Sequence, residues 1–87
     1  RLHDHDTPEH QLLRQEIEQT VARTVAALPD ELRRAITLRE VDGLSYEEIA
    51  QWMQCPIGTV RSRIFRAREA ISQRVKPLLT NQTSKRW

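Results

Sequence analysis

The stretch CPIGTVRSRIFRAR, residues 55–68, decides the fold, because apolar side chains recur through it at helical intervals between four arginines. Pro56 suits the first position of a helix, where a missing N–H costs nothing. An apolar stripe then follows in steps of three and four residues: Val60, Ile64, Ala67, Ile71 and Val75. This period predicts an amphipathic helix. We expect the helix to end at Pro77, since proline disrupts a helix interior.

The side of this helix that faces away from the apolar stripe is basic. Successive residues of a helix are about 100° apart around its axis, so the residues between those of the stripe lie on the opposite side or on the flanks. They are Thr59, Arg61, Ser62, Arg63, Phe65, Arg66 and Arg68. A merely solvated helix usually mixes charges of both signs, but here only Glu69 is acidic. A phenyl ring can contact a thymine methyl, and arginine can bind guanine through two hydrogen bonds. The pattern favours major-groove recognition of DNA; the alternative is a solvated face with a stray phenylalanine.

A short helix is predicted just before this basic helix. Ser45, followed three residues later by Glu48, has the spacing of a capping box. Ile49, Ala50 and Met53 give the buried face of this short helix, which we expect to end near Gln54. A short helix, a tight turn and a basic helix together predict a helix-turn-helix.

Two further helices are predicted upstream. The first should begin at residues 7–9 and end before Pro29, because threonine caps helices and proline stops them. The second should run from about Asp30 to Val41 and stop at Gly43. The predicted fold is therefore all-α, a small four-helix domain with a C-terminal helix-turn-helix. The expected core is Ile17, Val21, Val25, Leu28, Leu32, Ile36, Ile49, Met53, Val60, Ile64 and Ile71.

Length and composition limit what the chain can be. It has 87 residues, which is enough for one small domain at most. A hydrophobic fraction of 38% and only two glycines favour helices over a β fold rich in turns. No apolar run is long enough to cross a membrane, and the first residues resemble no signal peptide. We expect a piece of a larger cytoplasmic protein. Its predicted parts are an interdomain linker remnant (residues 1–8), the folded domain (9–79) and a disordered tail (80–87).

Charge is divided unevenly along the chain. Residues 1–55 hold six arginines and eleven acidic residues, whereas residues 56–87 hold eight basic residues and one acid. Because the two parts carry opposite net charge, the sequence predicts a basic C-terminal surface for a polyanion.

The chemistry of an active site is missing from the sequence. The histidines at positions 3, 5 and 10 fit no metal-ligand spacing, and we expect a solvated linker there. Cys55, the one cysteine, cannot form an internal disulfide, and we expect it to pack in a reducing compartment; a free reactive thiol is the alternative. No nucleophile–base pair is recognisable. We therefore expect neither an enzyme nor a cofactor or metal.

The starts of the last two helices are candidate phosphate sites, because helix N-termini carry unpaired N–H groups and partial positive charge. Gly58 has no side chain to keep a sugar-phosphate backbone away, and Thr59 offers a hydroxyl. Ser45 and Tyr46 open the preceding helix in the same way. Ser45 also acts as a cap, and Tyr46 either contacts a phosphate or packs on the core.

Three segments together carry a specific resemblance: LPDELRRAITLRE, GLSYEEIA and GTVRSRIFRARE. They resemble the C-terminal domain, region 4, of bacterial extracytoplasmic-function sigma factors, especially the sigma-E/AlgU-like group, over about residues 9–79. The resemblance implies part of a dissociable RNA polymerase subunit that directs transcription initiation, with a stress or envelope regulon. It also implies three partners, which are a GGAAC-like −35 promoter element, the polymerase β-flap and an anti-sigma factor. The chain would be the −35-binding half of such a subunit.

The resemblance also assigns site residues. The base-contacting positions of the family fall on Arg61, Ser62, Phe65 and Arg66. Its phosphate-contacting positions fall on Arg39, Tyr46, Pro56, Gly58, Thr59 and Arg63, and the capping pattern adds Ser45. Helical geometry places Ser62, Phe65 and Arg66 on the outward face without use of the resemblance. Arg61 lies at the edge of the apolar stripe, so its assignment depends more on the resemblance. We expect Arg68 to pair with acids of the first two helices.

A protein-binding surface is expected as well, because helical apolar residues exceed what so small a core needs. Its candidate residues for the β-flap and an overlapping anti-sigma factor are Ile36, Leu38, Ile71, Val75 and Leu78.

Two alternatives to a sigma domain stay open on the sequence alone. A LuxR-type response-regulator effector domain shares the four-helix outline, but it usually dimerises and carries fewer arginines in its recognition helix. We expect a monomer on an asymmetric site instead. A purely protein-binding module is the second alternative, and a weak dependence of DNA binding on salt would favour it.

Overall fold

A computed structural model describes residues 7–84, and the side chains of residues 7–80, as four helices. They are α1 (Pro8–Ala27), α2 (Asp30–Glu40), α3 (Tyr46–Met53) and α4 (Ile57–Ser84). Since the described range contains no strand, the predicted all-α class is confirmed. Over the same range, no helix combines the length and hydrophobicity that a membrane crossing would need.

Side-chain caps fix where α1 and α3 begin, as the sequence predicts. Thr7 Oγ1 accepts a hydrogen bond from the His10 N–H at 3.2 Å. In the capping box of α3, the Glu48 N–H donates to Ser45 Oγ at 3.1 Å, and the Ser45 N–H donates to Glu48 Oε1 at 2.8 Å. These bonds matter most for α3, because a helix of eight residues is not stable by itself.

The end of α4 differs from the prediction, because the helix continues through Pro77 to Ser84. Proline in a helix interior removes one backbone hydrogen bond and costs about 3 kcal/mol. Val75 and Leu78 are half-buried on either side of Pro77, and α1 packs on α4. Packing of this apolar stripe therefore maintains the helix despite the lost bond. Residues 80–84 belong to this helix, where a disordered tail was expected, and the domain boundary at residue 79 stays a prediction.

The core lies where α4 meets the other helices. Its buried residues are Leu28, Ala35, Ile36, Ile49, Val60, Ile64 and Ala67. Ala35 and Ala67 are fully buried, although the expected core omitted both. Their small side chains allow α2 and α4 to approach closely.

Some expectations about apolar residues are wrong. Ile36 was expected both in the core and on a partner surface; it is only 4% exposed, so its place in the core is confirmed and its place on the surface is wrong. Ile17, Val21 and Ile71, expected in the core, are half-buried and lie outside it. Ile17 and Val21 belong to α1, which packs mainly on α4. A helix with one principal neighbour cannot bury its apolar stripe completely.

The turn between α3 and α4 depends on one residue with positive φ. Gln54 has φ 53° and ψ 54°, the left-handed conformation in which helices commonly end. The Cys55 N–H then donates to the Ala50 carbonyl at 3.1 Å, and the Val60 N–H donates to the Pro56 carbonyl at 3.2 Å. These bonds close the turn that sets α4 against α3.

Gln54→Gly is expected to stabilise the domain, because glycine adopts positive φ without the steric cost that a Cβ atom brings. We expect a gain of about 0.5–1 kcal/mol and a rise of a few degrees in the thermal midpoint, measured by circular dichroism. Gln54→Val is the matched control and should lower the midpoint, since β-branched residues tolerate this conformation poorly. A lower midpoint for the glycine variant would show that the Gln54 side chain matters more than its backbone.

Candidate nucleic-acid interface

The outward face of α4 has the composition that the sequence predicts. Val60, Ile64 and Ala67 are buried on one side of the helix. On the other side, Phe65 is 66% exposed, and Arg61, Ser62 and Arg66 are also exposed. A phenylalanine this exposed has little contact with its own domain. Its ring is available to a partner, as are the guanidinium groups beside it.

The four arginines of residues 61–68 fall into two classes. Arg68 Nη2 donates to Glu40 Oε2 at 2.7 Å, and Arg63 Nη2 lies 3.8 Å from Glu31 Oε1. Both carboxylates belong to α2. Within the part of the chain that the structure describes, Arg61 and Arg66 make no ion pair. A ligand that binds the two arginines assigned to bases therefore has no carboxylate to displace in the described range.

The ion pair of Arg68 confirms the expectation that Arg68 pairs with an acid of the first two helices. The hydrogen bond that Arg68 donates to Glu40 is the main reason why the pKa of Arg68 is raised above its ordinary value, and Tyr46 contributes in the same direction. Arg68 thus lies where the end of α2 and the start of α3 meet α4. Arg63 has a second contact, with Nη1 at 3.7 Å from Cys55 Sγ.

The start of α4 is open to a ligand. Gly58 is exposed, and a Cβ atom built there would meet nothing within 4 Å. Pro56 is exposed and Thr59 is half-buried beside it. An anion can therefore approach the N–H groups of Ile57 and Gly58, at the end of the helix where its dipole is positive.

Arg39 and Tyr46 form a second candidate contact at the junction of α2 and α3. The guanidinium carbon of Arg39 lies 5.3 Å from the centroid of the Tyr46 ring, within the range of a cation–π interaction. Arg39 Nη1 also donates to the Leu44 carbonyl at 2.8 Å. Tyr46 is half-buried and packs against the core. Their expected role in phosphate binding stays a prediction, as do the other assigned DNA contacts.

Two features of this surface escaped the sequence analysis. The carboxylates of Glu31 and Glu40 stand 32 and 28 positions before their arginine partners, and no local spacing reveals such pairs. Trp52 on α3 is 70% exposed, above a shallow depression lined by Leu44, Glu48 and Gln51. Helical steps from Ile49 and Met53 place Trp52 on the flank of the buried face, and this position was the signal that it lies outside the core.

Of the three histidines and the one cysteine, the structure describes only His10 and Cys55. His3 and His5 lie outside the described range, and His10 Nδ1 is 2.9 Å from Thr7 Oγ1. Among residues 7–84, no cluster of histidine, cysteine or acidic residues has the arrangement of a metal site. Cys55 is half-buried and packs against the core.

Comparison with known proteins identifies the family. The family model described as "Sigma-70, region 4" matches residues 18–71. Over 78 residues, 90% of this chain, the chain is 63% identical to the RNA polymerase sigma-H factor of Pseudomonas aeruginosa. It is 62% identical, over the same share, to the ECF RNA polymerase sigma-E factor of Escherichia coli K12. The chain spans about two fifths of each relative, 40% and 41%. Nothing in these matches supports the LuxR-type alternative.

Proposed function

The chain belongs to the sigma-70 region 4 family, and we propose on that premise that it binds promoter DNA for a sigma subunit of RNA polymerase, directing transcription initiation. The observation that carries the proposal is the exposed face of α4. There, Phe65 is 66% exposed and Arg61 and Arg66 are without ion pairs in the described range. We propose a binding module of the cytoplasm without catalytic activity or cofactor, serving an envelope or stress response.

The proposed DNA site is a GGAAC-like −35 element. Arg61, Ser62, Phe65 and Arg66 would contact bases, because arginine recognises guanine and phenylalanine can contact a thymine methyl. Phosphates would be held around this helix, where they fix the register of the protein without specifying sequence. The proposed phosphate contacts are Arg39, Ser45, Tyr46, Pro56, Gly58, Thr59 and Arg63.

Fluorescence anisotropy with two labelled duplexes tests this proposal. One duplex carries GGAAC and the other carries the same bases scrambled, and both are titrated at several salt concentrations. We expect tighter binding to GGAAC, and log affinity that falls with log salt by about 0.9 for each neutralised phosphate. Equal affinity for the two duplexes, or affinity independent of salt, would contradict the proposal.

We propose that the β-flap of RNA polymerase and an anti-sigma factor use one apolar surface on this domain. The half-buried residues Ile71, Val75 and Leu78 support this proposal, because they extend the apolar stripe of α4 beyond the core. Leu38 is partly buried against the core and stays a candidate at the edge of the surface.

Competition for this surface is the expected result. A labelled β-flap fragment bound to the domain should be displaced by the anti-sigma factor, and Leu78→Ser should weaken both complexes roughly tenfold, as loss of a buried anchor does. Leu12→Ser is a control, because Leu12 is 65% exposed and belongs to α1. Simultaneous binding of both partners to one domain would exclude a shared surface.

A further inference from the structure

The ion pair between Arg68 and Glu40 has a consequence for DNA binding. We propose that Arg68 is an additional phosphate-binding residue and that the Glu40 carboxylate weakens its contact with DNA. This inference rests on the proposed function. It assigns a role to two residues that the proposed set of DNA contacts does not include.

The geometry indicates that this pair can open. The distance between Arg68 Nη2 and Glu40 Oε2 is 2.7 Å, but the side chains are 52% and 54% exposed. Ion pairs as exposed as this contribute little to stability, because water solvates both charges when they separate. A guanidinium group has five N–H donors, and one is committed to Glu40. A phosphate oxygen can therefore replace the carboxylate without disturbing the core.

The position of Arg68 places it on the rim of the DNA-binding face. It stands seven residues after Arg61 on the same flank of α4, which is about two turns or 10 Å along the helix. Tyr46, a proposed phosphate contact, is near enough to raise the pKa of Arg68. A helix lying in the major groove presents its flanks to the sugar-phosphate backbones, so a free Arg68 would meet a phosphate.

Glu40 opposes this contact in two ways. Its carboxylate offsets the positive charge of the guanidinium, and this negative charge lies near the phosphate that Arg68 would bind. Since phosphate contacts carry no sequence information, the loss applies to every duplex alike. Glu40 therefore lowers overall affinity and leaves base preference unchanged, so the domain depends more on the rest of the polymerase to reach its promoter.

Glu40→Gln tests the inference, because glutamine keeps the shape of the side chain and removes its charge. We expect the variant to bind the GGAAC and the scrambled duplex more tightly by the same factor, roughly fivefold at 0.1 M salt, with a salt slope steeper by about 0.9. The thermal midpoint should stay close to that of the original domain. Glu16→Gln removes an equal charge from an exposed position on α1 that makes no described ion pair, and it should change affinity much less.

The Arg68→Ala background completes the test. Glu40→Gln should have little effect on affinity in that background, because the arginine that it releases is gone. If Glu40→Gln bound DNA more weakly, the ion pair would be structural and the inference would be wrong. If Glu40→Gln gave an equal gain in affinity in the Arg68→Ala background, the gain would come from net charge and the inference would also be wrong. Failure of the original domain to distinguish the two duplexes would instead contradict the proposed function, since the effect of Glu40→Gln is measured on either duplex.

Discussion

Val60→Asp is expected to unfold the helix-turn-helix and most of the domain with it. Val60 is 0% exposed and lies in the core cluster with Ile49 and Ile64. A carboxylate at this position would be buried with no partner, which costs several kcal/mol. A domain of this size has a total stability of only about 5–10 kcal/mol. The substitution therefore removes most of the free energy that favours the folded state.

The measurement is far-ultraviolet circular dichroism at 25 °C followed by a thermal melt. The Asp variant should lose most of its helical signal or melt at a much lower temperature. Leu12→Asp is the matched control, because Leu12 is 65% exposed and the same change there should cost no more than about 0.5 kcal/mol. Native helicity and an unchanged midpoint for Val60→Asp would show that the buried face of α4 is wrongly assigned.

Arg66→Ala is expected to remove preference for one guanine of the −35 element. Arg66 is exposed on the face opposite the core and makes no ion pair in the described residues. Its planar guanidinium can span N7 and O6 of a guanine, a geometry that lysine does not match. We expect a cost of about 1–3 kcal/mol on the GGAAC duplex and a smaller cost where that guanine is replaced.

Arg63→Ala is the contrasting variant for this experiment. If Arg63 binds a phosphate, its loss should weaken all duplexes alike and lower the salt slope by up to about one. The nearby Glu31 carboxylate, at 3.8 Å, should make the change in slope smaller than that limit. Both variants are titrated against GGAAC and its single-base substitutions at two or more salt concentrations. Equal weakening of every duplex by Arg66→Ala would make Arg66 a phosphate contact.

Local features of this fold were predictable from the sequence. The caps at Thr7 and Ser45 follow from side chains that bond to N–H groups three residues away, so the sequence contains both partners of each bond. The exposure of Phe65 and the burial of Val60 follow from the helical period alone. For the same reason, the α1–α2 and α2–α3 boundaries were predicted within about one residue.

Features that depend on distant contacts were not predictable. Pro77 predicts a helix end from local sequence, but packing of the residues around it maintains α4. A single sequence does not reveal whether the packing outweighs the lost hydrogen bond. Ile36 was expected both in the core and on a partner surface, because helical periodicity does not say how completely α4 covers the apolar face of α2. An ion pair of Arg68 with an acid of the first two helices was expected, but the identity of its partner, Glu40, requires the three-dimensional arrangement of α2 and α4. For the DNA contacts, the sequence gives residue types and helix faces, and binding measurements have to assign their roles.

The continuity of α4 has a consequence for how partners are arranged around it. Arg66 and Val75 lie on one uninterrupted helix and are nine residues apart, which corresponds to about 13 Å of rise and a half-turn of azimuth. They therefore project in opposite directions from the same rod. DNA on the Arg66 side and an apolar partner on the Val75 side would occupy opposite hemispheres of the domain. Helix α4 would then fix the distance and the angle between the DNA site and the apolar site, so that DNA and the protein partner can bind at the same time.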